Sequence, residues 1–183
     1  MIETEVNTED KDGYKKTKLG WIPENWKLNK MGKIANIIMG QSPGGHTYNK
    51  NGNGIALING PTEFTNRYPV KKQWTTKPIK TVTKGDILIC VRGSSTGRIN
   101  ISDGKYCIGR GVAAIRSSNK NDQRFIEYQL YNQISQLLRL TSGSTFPNIN
   151  SKDIKNLPIP LPPLPEQKKI AKILSTWDEA ISK

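Results

Sequence analysis

The sequence predicts an α+β fold: a small mixed sheet with packed helices, followed by a Pro-rich connector and a C-terminal coiled-coil-type helix. Three observations carry this. Short β-branched runs separated by Gly- and Asp-containing turns fill the chain as far as Arg116. From Ile126 the apolar residues switch to the four-residue spacing of an amphipathic helix. After Leu157 prolines alternate with apolar residues, and beyond Pro165 the apolar residues take heptad spacing. A length of 183 residues fits about one domain on the usual prior of roughly 100–200 residues.

Residues 1–18 are rich in Glu, Asp, Lys and Thr, lack an apolar period and read as a flexible leader. Order is expected from Leu19, with Trp21, Ile22 and Trp26 as an apolar anchor. Ile34 to Met39 and Ile55 to Ile58 are candidate strands. Lys84-Gly85-Asp86 reads as a turn into Ile87-Leu88-Ile89-Cys90-Val91, whose unbroken apolar run suits a strand buried on both faces. Arg98 to Ser102, Asp103-Gly104 and Lys105 to Ile108 predict a hairpin, since Asp-Gly tolerates the positive φ angles of two-residue turns. Val112 to Arg116 makes a further strand.

Ile126, Leu130, Ile134 and Leu138, with Leu137 beside the last, mark a helix capped by Asn121 or Asp122 that fades near Ser142-Gly143. The proline run from Leu157 to Pro165 excludes helix and central strand and reads as an extended connector. Pro165 then suits the first turn of a helix, with Glu166 near its positive end. Ile170, Leu174, Trp177 and Ile181 form a heptad seam there, a candidate partner or dimer face.

Charge narrows the function. Lys and Arg number 28 against 15 Asp and Glu, a formal +13. The first 20 residues are net −1, and residues 21–183 hold 24 basic against 10 acidic. Between Arg67 and Arg116 there are 11 basic and 2 acidic residues. Such a concentration suits a polyanion, because neutralising phosphates releases counterions. The acidic N-terminus is unlike a signal peptide and no stretch has the length of an apolar membrane span, so a cytoplasmic location is expected. Cys90 and Cys107 form no CxxC pair and read as buried hydrophobes.

Catalytic patterns are scarce. His46 is the only histidine, and there is no HExxH motif and no Walker A loop. No cofactor and no metal are expected. One enzymatic alternative is a metal-dependent endonuclease using Asp86, Asp103 and Lys105. A second alternative is a helix-mediated interaction module. For DNA binding, Arg92-Gly93-Ser94-Ser95-Thr96-Gly97-Arg98 combines glycines that let a phosphate approach with hydroxyls and arginines that can contact phosphate or guanine. Gln41, Ser42, Lys71, Lys72, Arg110, Ser144 and Thr145 join it as candidates.

Gly20-Trp21-Ile22-Pro23-Glu24-Asn25-Trp26, Gly40-Gln41-Ser42-Pro43, Gly85-Asp86-Ile87-Leu88-Ile89 and Arg92-Gly93-Ser94 through Gly97-Arg98 stand in an order that resembles the type I restriction–modification specificity subunits. Ile108-Gly109-Arg110-Gly111, Gly143 to Ile149 and Pro158 to Gln167 with Ile170-Ala171 extend the resemblance to the end of the chain. It implies a non-catalytic reader of one half of a bipartite double-stranded DNA site. Methylation of adenine falls to a modification subunit that binds S-adenosylmethionine, and cleavage to a restriction subunit. Such subunits carry two recognition domains separated by antiparallel helices. This chain holds one recognition domain, expected over residues 19–156, and over 157–183 the connector and the start of a spacer helix. The chain is then either a fragment or a natural half-subunit, which would form a homodimer or meet a second half-subunit.

Overall fold

A computed structural model describes residues 11–139 and 147–181. The chain opens with β1 (Tyr14–Thr17), β2 (Gly20–Pro23), β3 (Lys27–Lys30), a single turn α1 (Met31–Ile34) and β4 (Ala35–Met39). Short strands β5 (Tyr48–Asn49), β6 (Ile55–Ile58), β7 (Trp74–Thr75) and β8 (Thr81–Val82) come next. The central elements are β9 (Ile87–Cys90), β10 (Ile99–Ile101), β11 (Tyr106–Ile108), β12 (Val112–Ser117) and α2 (Gln123–Arg139). The chain closes with α3 (Ser151–Asn156), β13 (Pro158–Leu161) and α4 (Leu164–Ile181).

The α+β class holds, with two stacked sheets in place of one. An antiparallel four-stranded sheet has the order β10-β9-β12-β4. A mixed sheet has the order β5-β7-β6-β11-β8, and its β6–β11 pair is parallel. Strand alternation explains the layering. Ile87, Ile89, Ala113 and Ile115 point to a core shared with Phe125, Ile126, Leu130 and Leu137 of α2. Leu88, Cys90, Val112 and Ala114 point the other way, to Ile58, Val82, Tyr106 and Ile108 of the mixed sheet. The run from Ile87 is thus buried on both faces, as its composition predicts.

The expected hairpin over residues 98–108 does not form. β10 pairs with β9, whereas β11 leaves for the other sheet and pairs with β6 and β8. Neither Asp103 nor Gly104 takes a positive φ. The Asp103 carboxylate instead accepts from the Tyr106 hydroxyl, and the Ser102 hydroxyl donates to the Gly104 carbonyl at 2.6 Å. Asp-Gly here turns the chain between layers rather than back on itself.

Two further expectations change. Tyr14–Thr17, placed by the sequence in a leader, pairs with Gly20–Pro23 as a ribbon; residues 1–10 lie outside the described residues. The proline run is extended as expected, yet Pro158–Leu161 pairs with β3, and Leu157 to Pro160 are buried. Pro158 and Pro160 share one edge of this strand, which leaves the N–H groups of Ile159 and Leu161 on the other. The segment is therefore part of the body rather than a tether. Helix α3, unmarked by any apolar period, is set by Asn150, whose side chain accepts from the N–H of Lys152 and Asp153.

Helix α2 begins as expected: Asp122 Oδ1 accepts from the Phe125 N–H at 2.8 Å. Helix α4 is tied to it at two points. Buried Gln167 accepts from the Asp122 N–H at 2.9 Å and donates to the Pro162 carbonyl at 2.9 Å. Further along, the Tyr128 hydroxyl donates to Asp178 at 2.6 Å, with Arg124 3.8 Å from the same carboxylate. Of the seam, Ile170 packs on the core, whereas Leu174, Trp177 and Ile181 are exposed.

Both cysteines are buried and free, and burial pushes the Cys90 thiol up to about 11. The thiolate is the reactive species. At pH 8 neither thiol is expected to react with a chromogenic disulfide reagent until the protein is denatured. Rapid labelling of Cys90 in the folded protein would contradict the packing of its strand between two layers.

Candidate nucleic-acid interface

The C-terminal ends of β4, β6, β9 and β11 converge, and the loops leaving them are stitched together by main-chain hydrogen bonds. Gly40 N–H donates to the Val112 carbonyl at 2.9 Å and Gln41 N–H to the Ile108 carbonyl at 3.0 Å. Gly109 N–H donates to the Ile58 carbonyl at 2.9 Å, and Val91 N–H to the Gly111 carbonyl at 2.9 Å. Glycine is required here for closeness. A Cβ on Gly40 would meet the carbonyl oxygens of Gly109 and Val112, and one on Gly109 would meet the Asn59 side chain.

This junction gathers Gln41, Ser42 and Arg110, which are distant in sequence. Ser42 Oγ accepts from the Arg110 N–H at 3.1 Å and lies 3.1 Å from Asn59 Oδ1. The side chains of Gln41, Asn59 and Arg110 are exposed. Beneath them Glu63 is buried, and its Oε2 accepts from the N–H of Asn59 at 3.2 Å and of Gly60 at 3.1 Å. Sequence reasoning misses both Asn59 and Glu63. The available signal is Asn59-Gly60-Pro61, a turn signature directly after a predicted strand.

The neighbouring loop from Arg92 to Arg98 is more internally committed than its composition suggests. Gly93 and Gly97 take φ values of 82° and 92°, the left-handed region that glycine tolerates. The Thr96 hydroxyl donates to the Gly93 carbonyl at 2.6 Å, and Arg98 Nη2 donates to the Phe64 carbonyl at 3.3 Å. A Cβ on Gly97 would meet Leu138 of α2. Arg92 and Ser94 are exposed, and Ser95 is half-buried. Lys72 donates to the Thr62 carbonyl at 2.6 Å, while Lys71 is exposed. Ser144 and Thr145 lie outside the described residues.

The two arginines that bound the basic stretch are engaged by acids. Arg67 Nη1 lies 3.1 Å from Glu127, and Arg116 Nη2 lies 2.6 Å from Asp86. Burial pushes the Glu127 carboxyl above the usual carboxylate range, and Arg67 pulls it back. Asp86 also accepts from the Thr83 N–H at 2.8 Å, which corrects its candidacy as a metal ligand: its oxygens are spent on Arg116 and Thr83. Asp103 is held by Tyr106. Among the described residues no three His, Cys, Asp or Glu side chains gather as a metal site would require.

Comparison with known proteins adds a lineage. The family described as the type I restriction modification DNA specificity domain matches residues 23–183. A Methanocaldococcus jannaschii chain described as the putative MjaX type I restriction enzyme specificity subunit is 44% identical over 171 residues, covering 92% of this chain. The EcoBI specificity subunit of Escherichia coli is 26% identical over 163 residues, which cover 85% of this chain and 33% of that one. The HsdS subunit from Thermoanaerobacter tengcongensis superposes with a TM-score of 0.77 at 35% identity, covering 88% of this chain and 39% of that one. A chain from a structure of type I R-M complex assembly and conformational transition superposes with a TM-score of 0.80, also at 35% identity, over 88% of this chain and 40% of that one. The present chain spans 40% of the length of the MjaX relative.

The packing of the junction has a measurable cost. Gly40→Ala is expected to lower the unfolding free energy by about 1–3 kcal/mol, the range for overpacking a filled site. Chemical denaturation reads this directly, and an unchanged midpoint would show that the Gly109 and Val112 carbonyls yield freely.

Proposed function

The chain belongs to the type I restriction–modification DNA specificity domain family, and on that premise we propose that it reads one half of a bipartite double-stranded DNA site. It carries no chemistry of its own in this reading. A modification subunit methylates adenine at the site and a restriction subunit cleaves DNA, both directed by this chain. The observation that supports recognition is the junction at the strand ends, where exposed Gln41, Asn59 and Arg110 stand on a rigid, glycine-packed floor within a strongly basic chain. Rigid placement of a few polar side chains is what base discrimination needs.

Affinity and specificity divide between different residues. Exposed Lys71 and Arg92 suit phosphates and supply salt-dependent attraction. Lys72 and Arg98 hold the backbone of residues 62–64, so their effect on DNA runs partly through the shape of that turn. The exposed Leu174, Trp177 and Ile181 of α4 offer a seam for a second half-subunit, for another copy, or for the modification subunit. Ile170 serves the chain's own core instead.

Two experiments test this. Co-expression with the neighbouring modification subunit and genome-wide mapping of methylated adenine is expected to give one reproducible bipartite motif; the absence of any motif would overturn the assignment. Binding to random duplex DNA, monitored by anisotropy, is expected to weaken steeply with salt. Each phosphate contact contributes about 0.9 to the log–log slope. Arg92→Ala and Lys71→Ala are each expected to reduce the slope by about that amount with the melting temperature unchanged, and an unaltered slope removes that residue from the interface.

A further inference from the structure

The junction contains a polar relay whose direction is fixed by proton count. The Arg110 N–H can only donate, so Ser42 Oγ accepts from it. The Ser42 hydroxyl has one proton, and among the described residues the side-chain oxygen that takes it is Asn59 Oδ1, at 3.1 Å. Turning the Asn59 amide over would make Ser42 accept twice and leave its proton without a partner among the described residues. The relay therefore holds Oδ1 inward and turns Nδ2, with its two donors, away from Ser42. No side chain or carbonyl among the described residues accepts from Nδ2, and Asn59 is exposed.

The backbone beneath is fixed with equal care. Buried Glu63 spends one carboxylate oxygen on the N–H groups of Asn59 and Gly60. Gly109 and Gly111 approach Asn59 so closely that a Cβ on either would collide with it. An exposed amide is ordinarily free to rotate and forfeits entropy on binding. This one is held by Ser42, with donors that no described residue takes, beside the exposed Arg110 and Gln41. In the neighbouring loop, by contrast, the Thr96 hydroxyl is used internally and one nitrogen of Arg98 donates to the Phe64 carbonyl.

We propose that Asn59 is a specificity-determining residue: its side-chain amide donates to a hydrogen-bond acceptor on bound DNA, and Ser42 positions it. This rests on the DNA-reading assignment above. The acceptor is an atom of a base edge, such as purine N7. The Nδ2 donors, which no described residue takes, and the second lone pair of Oδ1 together match the two-point contact that an asparagine makes with adenine.

The test selects preferred duplexes for the full chain from a random library and measures affinity at each single-base replacement. Asn59→Ala removes the amide. Asn59→Asp keeps an oxygen to accept from Ser42, removes the donors and adds a negative charge, so it is read from the base profile and not from overall affinity. Gly109→Ala displaces the side chain without changing it. Asn59→Ala and Asn59→Asp are expected to lose about 5- to 150-fold in discrimination at one base pair, equivalent to the 1–3 kcal/mol of a good base contact, with preferences elsewhere and the melting temperature kept; Gly109→Ala is expected to lose discrimination at the same base pair with a lowered melting temperature, because a Cβ there overpacks the junction. Ser42→Ala is expected to give a partial loss at the same base pair. A uniform weakening at every base pair overturns the specificity role, since a phosphate contact carries no sequence information. An unchanged affinity and base profile in folded Asn59→Ala or Asn59→Asp overturns the proposal while leaving the DNA reading intact. Failure of the wild-type chain to bind any duplex at low salt overturns both.

Discussion

The structure depends on one strand pair, β9 with β12, being buried on both faces. Ile87 to Cys90 and Val112 to Ile115 send alternate side chains into two separate cores, one under the helices and one between the sheets. A strand placed in this way has no solvated face, so a register slip by one residue would exchange two differently shaped sets of side chains. Val112 opposite Cys90 and Ile115 opposite Ile87 fix that register. The helices, the mixed sheet and the loops that leave the strand ends take their positions from it.

The candidate interface is a consequence of that layering. Strands of two different sheets finish at the same end, and their loops must cross in little space. Glycines at positions 40, 109 and 111 answer a steric demand there, since each lies against a carbonyl or the side chain of a neighbouring loop. The same crossing brings Ser42, Asn59 and Arg110 into one hydrogen-bonded relay, although the first and last are 68 residues apart. The candidate residues thus sit on loops, but on loops whose main chains are bonded to one another.

Periodicity accounts for most of what was legible in the sequence. The strand from Ile87, the helix from Asp122 and the helix after the prolines are visible because their side-chain spacing reports their environment. The hairpin at Asp103-Gly104 misled because a turn signal says that the chain bends, not which strand it next meets; β11 is drawn to β6, whose partner residues lie about fifty positions earlier. Asn59 and Glu63 were invisible for a related reason. Their roles arise only from contact between loops that no local pattern connects. Arg98 was recognisable as a cation, but its use in holding the Phe64 carbonyl was not.

The acidic residues complete the electrostatic argument. Glu63, Asp86 and Glu127 are buried, and each fixes a loop: Glu63 through backbone N–H groups, Asp86 through Thr83 and Arg116, Glu127 through Arg67 and Arg124. Removing one partner from such a site leaves a charge uncompensated, which costs far more than a surface pair contributes. These carboxylates therefore belong to the fold. Lys71, Arg92 and Arg110, by contrast, are exposed. Charge and scaffold are thus coupled in this chain: three buried carboxylates order the loops, and two of them do so by engaging the arginines that bound its most basic stretch.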